Sequence, residues 1–477
     1  MAQSTSFRRK GLAANFSLLS IATLTQNLLG FVTVIYLARV LGPKGYGFYS
    51  YTWTWAMLFL ALTQLGIPNW ATRIATGLQG VERMQKVQDA WNTLFWVGLM
   101  STGLFLSVTV ALPMPTSEKL LLLLWSSLLW QNNMNPSWIY ALDQKMLVPS
   151  LGMVVGALLR LIGTVLLVHA HGQVTLAVVV TVLALWVISV GPMVELGVRK
   201  RLTWPHWPGW RSIRLTIRQS IVFATMGIVG VLYTHVDVLI LRHFSSLTQV
   251  GFYAVAQRPT IFLWAFVRAF LHVVYPVAGR MAQENLDRFE SLIGNILRVI
   301  LVIIVPVVVG TMVVARPTVV GLFGSAYQAA ATPMTLLIVA MAVAGIREVF
   351  AVSLVSTFGE KRYLRGVLLG GIVNIIAMLG LVRWGATGLA VALVVSQSFV
   401  MIYTARALRA KLPTLHFPWK TGWIALLDSL AMAAIVYGLG VHFSVWLLIG
   451  VGMVVFAGLA VVTRILTWTD IQTILHS

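Results

Sequence analysis

The nonapeptide VGFYAVAQR, Val250 to Arg258, decides how this chain is read. Its Gly-Phe-Tyr echoes the same triplet in YGFYSY, which begins at Tyr46. It also opens a long apolar run and yet carries an arginine. The first property points to an internal repeat. The second points to a helix whose surroundings accept a buried cation.

The apolar context extends over the whole chain. Of 477 residues, 58% are hydrophobic and 10% charged, whereas soluble chains carry about 25% charged residues. Mean hydropathy is +0.87. Long runs rich in Leu, Val, Ala and Gly recur from end to end without period-two alternation. A spanning helix takes about 20 such residues, so the fold class is an all-α polytopic membrane protein rather than a barrel. Fourteen spans are expected, near 13–37, 46–67, 91–112, 119–141, 147–169, 174–197, 217–241, 250–277, 292–314, 332–356, 364–382, 386–407, 421–440 and 443–465. Gly and Pro punctuate them in LGPKG, LPMP, HAHG and WGATG. The basic start FRRKG precedes an apolar run reaching Leu37, too long for a cleaved leader, which predicts an uncleaved first helix. Cysteine is absent, which excludes disulfides and thiolate metal sites. No metal or cofactor is expected beyond a coupling H+ or Na+.

The formal charge is +21. Its placement between apolar runs speaks for the positive-inside rule and against nucleic acid. With the N-terminus cytoplasmic, inside segments hold 23 of the 34 Lys and Arg residues and outside segments six. Both termini are therefore expected on the cytoplasmic side of a bacterial inner membrane. Trp204, Trp207 and Trp210, in the link WPHWPGW, are expected at headgroup level. The polybasic inside segments also favour anionic membrane lipid.

A second echo supports the repeat. GALLRLIGTVLLVHAHGQVTLAVVV from Gly156 aligns with GGIVNIIAMLGLVRWGATGLAVALVV from Gly370, with Arg160 facing Asn374 and Gly172 facing Gly385. Both echoes lie six spans apart. An even offset preserves orientation, as in parallel transporter repeats. The expected organisation is an N-terminal lobe at 1–203, a C-terminal lobe at 204–411, and two added helices at 412–477. Paired lobes of this kind leave a cleft that alternating access opens to either side.

The remaining five arginines, Arg160, Arg258, Arg268, Arg298 and Arg347, fall inside spans. An arginine at the bilayer centre costs about 2.5–3.5 kcal/mol on insertion scales, so such residues face protein, water or a partner. Arg298, near a span end, has a snorkelling alternative. Pro259, after Arg258, removes a backbone N–H and predicts a local kink. Acids at comparable depth are fewer: Asp237, Glu348 and Asp428 are the coupling candidates. Glu348 adjoins Arg347 but is expected to point about 100° away around the helix. Excess cation favours an anionic ligand, and the planar arginine fork suits phosphate. Asn27, Gln131, Asn132 and Asn135 are candidate sugar contacts, against the alternative that carboxamides glue helices together.

Three stretches carry a family resemblance. YLARVLGPKGYGFYSYTWTWAMLFLALTQLGIPNWATR, RQSIVFATMGIVGVLYTHVDVLILRHFSSLTQVGFYAVAQRP with the later YPVAGRM, and GEKRYLRGVLLGGIVNIIAMLGLVRWGATGLAVALVVSQ resemble the polysaccharide and oligosaccharide flippases of the MOP exporter superfamily. The resemblance implies a two-lobed bundle moving polyprenyl-diphosphate-linked glycan between leaflets, with the diphosphate in a cationic cavity, for surface polysaccharide assembly machinery. Carried over by position, Asp237, Gly251, Tyr253 and Arg258 match the pattern of spans seven and eight, and Arg160, Asn374, Gly385 and Gly388 match other recurring positions. A MATE-like exporter of small amphiphiles on the same scaffold is the first alternative. A membrane polymerase or ligase acting on lipid-linked glycan is the second; the outer loops offer it only His169, His171, His243 and His442.

Overall fold

A computed structural model describes residues 2–199, 202–410, 412–413, 415–439 and 444–465. Lys200, Arg201, Lys411 and His442, which the topology and loop arguments used, lie outside the described residues, as does 466–477.

Helices occur in the order α1 (Ala2–Gln64), α2 (Ile67–Ala75), α3 (Gly80–Ala111), α4 (Thr116–Asn133), α5 (Ser137–Leu142), α6 (Leu147–Leu167), α7 (Val174–Val198) and α8 (Trp210–Phe244). They continue with α9 (Leu247–Ala256), α10 (Arg258–Glu284), α11 (Leu286–Phe323), α12 (Ala331–Phe358), α13 (Glu360–Leu381), α14 (Gly385–Leu408), α15 (Trp419–Leu439) and α16 (Val445–Val462). Every expected span meets a helix. Nine stretches of the described residues are long and apolar enough to cross a bilayer; two of them, Ser17–Ala75 and Lys361–Leu408, each take in two α-helices.

The departures from the expected spans have local causes. Spans one and two are arms of one helix that bends at Gly42, whose φ of 69° is left-handed and therefore favours glycine. Span four breaks between α4 and α5 at Asn135 and Pro136. The Asn135 side-chain oxygen accepts from the Ser137 N–H at 3.0 Å, two residues on, and holds the turn that precedes α5. Span eight breaks between α9 and α10 at Gln257, where Pro259 lacks the N–H that would close the turn. The Thr260 hydroxyl donates to the Gln257 carbonyl at 2.6 Å and satisfies it. At 38 residues, α11 is about 57 Å long at 1.5 Å per residue, well beyond an apolar core of about 30 Å.

The chain divides into two compact units, 1–239 and 240–477. The division falls inside α8, later than the expected boundary at 203. The reason is packing: Ile213 of α8 is buried with Ile67, Trp70, Leu94 and Trp138, and the partly buried Ile217 and Phe223 pack against the same cluster. Gly66 permits this contact, since a Cβ there would lie 2.5 Å from Phe223 Cβ. In the second unit, the α11 stripe Phe289, Ile293, Ile296, Ile300 and Ile304 recurs every three or four residues. It packs on Leu263, Val267 and Leu271 of α10 and Ile338 of α12. The last two helices pack on α11 through Val302 with Ala425 and through Val313 with Met432 and Leu448.

Outer helix faces are apolar. Leu159, Ile162 and Leu166 on α6, and Ile372, Ile376 and Leu379 on α13, are all exposed. In water such faces would drive association; hydrocarbon solvates them.

Candidate functional site

Arg160 lies on α6 within the first unit and is half-buried. Glycine brings its helix close to α7: a Cβ on Gly156 would lie 2.9 Å from the Ala184 carbonyl and 2.7 Å from Ile188. On its other side stands the second arm of α1, which presents Tyr49. Arg160 Nη2 donates to the Tyr49 hydroxyl at 3.1 Å. Tyr49 is 3% exposed, and its hydroxyl lies 3.1 Å from Thr181 Oγ1. Thr181 donates its own hydrogen to the Ala177 carbonyl at 2.8 Å. The direction of the chain follows: Arg160 donates to Tyr49, Tyr49 to Thr181, and Thr181 to the α7 backbone. A phenol holds the guanidinium without cancelling its charge. Among the described residues Tyr49 is the only polar partner of Arg160, and the buried Arg160 Nε has none. None of the ion pairs among the described residues involves Arg160, so no carboxylate cancels its charge.

The Tyr49 ring is fixed in turn. It stacks on Tyr46 at 6.1 Å and meets Trp125 edge-on at 5.7 Å. Trp125 donates to Thr52 at 3.1 Å, and Trp53 packs against it at 5.0 Å.

In the second unit Arg347, 9% exposed, has a different setting. Its Nη2 pairs with Glu348 at 2.5 Å and its Nη1 donates to the Tyr363 hydroxyl at 2.8 Å. The expectation that Glu348 points away is corrected here: both side chains are long and flexible, so adjacent residues close a pair despite the 100° turn. The pair neutralises both members locally, which removes the simplest ground for Arg347 as an anion site and for Glu348 as a free proton carrier.

The other candidates divide. Arg258 is half-buried at the first position of α10, beside the break at Gln257. Arg268 is exposed and lies over the Trp264 ring at 5.3 Å. Arg298 is exposed on α11. Asp237, 5% exposed, accepts from the Val238 N–H at 2.8 Å. Asp428 accepts from Thr463 at 2.8 Å and fastens α15 to the end of α16. Of the sugar candidates, Gln131 donates to Ser189 at 2.6 Å and to the Leu185 carbonyl at 3.0 Å. The side chains of Gln131 and Asn135 thus have partners within the protein, as buried amide groups ordinarily do. Asn132 is half-buried, its carbonyl accepting from Gln64 at 3.0 Å. Asn27 is exposed on the first arm of α1.

Sequence reasoning missed Tyr49 and Tyr363 as arginine partners and Thr181 as the partner of Tyr49. Tyr49 was visible only as a marker of the GFY echo.

These features define a multi-pass α-helical membrane protein. The sequence profile of the polysaccharide biosynthesis protein family matches residues 12–282, more than half of the chain, and the protein belongs to that family. A curated relative, the probable low-salt glycan biosynthesis flippase Agl15 of Haloferax volcanii, is 24% identical over 258 residues, 52% of this chain. The alignment spans only 54% of that relative's length. Among solved structures, the lipid II flippase MurJ in an inward closed conformation superposes with a TM-score of 0.75 at 15% identity, over 94% of this chain and 99% of that one. An inward-facing MATE multidrug transporter of the MOP superfamily gives 0.66 at 15% identity, over 84% and 98%. The fold is that of the MOP transporters.

Proposed function

We propose that this protein is a flippase that carries a polyprenyl-diphosphate-linked oligosaccharide across the inner membrane of a bacterial cell by alternating access, in the service of surface polysaccharide assembly. The observation that carries this reading is Arg160: a guanidinium inside an apolar helix, held by a neutral phenol and retaining its charge. A planar cation suits a diphosphate, bonding two oxygens at once. Family membership and the printed role of the Agl15 relative support the glycan side of the reading. The Lys and Arg asymmetry puts both termini on the cytoplasmic side, and alternating access draws on an H+ or Na+ gradient or on substrate exchange.

The MATE fold match keeps a small-amphiphile exporter as the second reading. A cationic drug, however, would be repelled by an unneutralised arginine.

The test is complementation in a strain lacking its lipid-linked glycan flippase. Wild type restores surface glycan. Arg160→Ala at equal membrane abundance loses most of it, and Arg160→Lys recovers part. Full restoration by Arg160→Ala would remove this arginine from the mechanism. Failure of wild type in that strain, together with drug resistance in a pump-deficient one, would favour the exporter.

A further inference from the structure

The cleft between α13 and α14 at their basic ends has no part in the reading above. Three arginines line it: Arg362 and Arg365 from α13 and Arg406 from α14, with Phe399, Ile402 and Tyr403. Its volume is about 600 Å³. No carboxylate lines it among the described residues.

The site is built by close helix approach. A Cβ on Gly366 would lie 2.5 Å from the Tyr403 ring, so glycine lets the tyrosine lie against α13. One turn further on, Ser396 donates to the Gly370 carbonyl at 2.9 Å and clamps the two helices. Arg362 and Arg365 are three residues apart and share a face. Arg362 rests over the Phe358 ring at 4.1 Å, which orients its guanidinium. Arg406 occupies the last turn of α14, where the helix dipole favours a cation. Three like charges around one opening repel each other unless an anion sits among them.

The rest of the cleft is apolar and continuous with the outer surface. Ile402 and Phe399 are exposed, as are Leu364 and Leu368 on α13 and Val395 on α14. A ligand filling this shape has phosphate at one end and hydrocarbon at the other. Basic pockets between spanning helices bind anionic lipid headgroups for this reason.

We propose that this cleft is a binding site for an anionic phospholipid of the surrounding membrane, its phosphate held by Arg362, Arg365 and Arg406 and an acyl chain lying along Phe399 and Ile402. It shares no residue with the site proposed above for the transported glycan. The proposal does not depend on the transported substrate, and its test contains no transport step.

The full chain is purified into nanodiscs of phosphatidylcholine alone or with phosphatidylglycerol or cardiolipin. Thermal unfolding and lipid retained in native mass spectrometry are read together. For wild type, the anionic lipids raise the unfolding midpoint, and phosphatidylglycerol or cardiolipin is retained at least tenfold over phosphatidylcholine. The triple variant Arg362→Gln/Arg365→Gln/Arg406→Gln loses both effects. A control with equal charge loss on the first turns of α8, Arg211→Gln/Arg214→Gln/Arg218→Gln, keeps both. Should the first variant fail to fold, the triple Arg→Lys variant at the same positions keeps the charge without the planar fork and retains less lipid than wild type. Equal loss in the α8 control, or undiminished retention in the cleft variants, overturns the site. Equal stabilisation of wild type by millimolar inorganic phosphate in phosphatidylcholine discs overturns the lipid assignment in favour of a soluble anion.

Discussion

Arg160 and Arg347 read alike in the sequence, each a lone arginine in an apolar span, and the structure sets them apart. Arg160 in the first unit leans on a neutral phenol. Arg347 in the second is paired with the next residue in the chain, Glu348, and bonded to Tyr363. Burial alone does not make an arginine a ligand site. What matters is whether its charge survives its neighbours: a phenol orients it, and a carboxylate cancels it.

The largest expected effect falls on the paired residue. Arg347→Ala leaves Glu348, whose side chain is 25% exposed, without its countercharge. Breaking one member of a buried pair costs about 3–5 kcal/mol, whereas replacing both with apolar residues of similar size is often neutral. Arg347→Ala should therefore sharply lower membrane abundance and unfolding temperature, while Arg347→Met/Glu348→Leu should recover most of both. If the double variant is as unstable as the single, the pair is not the cause. If Arg347→Ala is stable but inactive, the contrast with Arg160 collapses and Arg347 returns as a ligand residue.

Arg160→Ala should behave in the opposite way. It leaves no acid behind, so abundance should stay near wild type. A charge-assisted hydrogen bond is worth about 1.5–3 kcal/mol, which predicts at least a tenfold fall in surface glycan produced at limiting substrate. A stability loss matching that of Arg347→Ala would show that the charge has a structural duty.

Much of this architecture was legible in the chain. Apolar run length located the spans, since a bilayer sets one length for every crossing helix. Even the break at Gln257 followed from Pro259. The second echo paired Gly156 with Gly370, and both prove to be sites of close helix approach: Gly156 against Ala184 and Ile188, and Gly370 against Val400. What stayed illegible was which partner each polar side chain meets. Arg160 and Tyr49 are 111 residues apart, and no local pattern encodes a contact between spans two and five. The Glu348 expectation failed for a related reason: helix geometry gives the direction of Cβ, not the reach of a long side chain. The cluster of Arg362, Arg365 and Arg406 was read only as topology, because charges at span ends ordinarily mean orientation.

The paired glycines sharpen the comparison at a smaller scale. A Cβ on Gly156 meets the backbone carbonyl of Ala184 at 2.9 Å, whereas one on Gly370 meets a methyl of Val400. The Val400 methyl stands closer, at 2.1 Å, and its χ1 is stiff in a helix, so it yields by a costly rotamer change, whereas a carbonyl fixed in a helix has no rotamer to change. Overpacking typically costs about 1–3 kcal/mol, so Gly156→Ala should lower the unfolding temperature of the purified protein and Gly370→Ala should lower it less. Because Gly156 sits one turn before Arg160, its variant should also reduce glycan export. Equal shifts for both glycines would mean that α7 yields as readily as a side chain.

Tyr49→Phe is the finest test, removing one oxygen and leaving the ring among Tyr46 and Trp125. Two hydrogen bonds go, one from Arg160 and one to Thr181, whose hydroxyl keeps the Ala177 carbonyl. A neutral hydrogen bond is worth about 1 kcal/mol net, so stability should fall only slightly. Activity should fall severalfold, because the guanidinium loses the group that aims it while keeping its charge. Thr181→Val leaves the Arg160 bond intact and should matter less than Tyr49→Phe, though it removes the acceptor that fixes the phenol hydrogen. If Thr181→Val proved the more damaging to export, the chain of donors from Arg160 to α7 would run the wrong way for a phenol that serves as the arginine's rest.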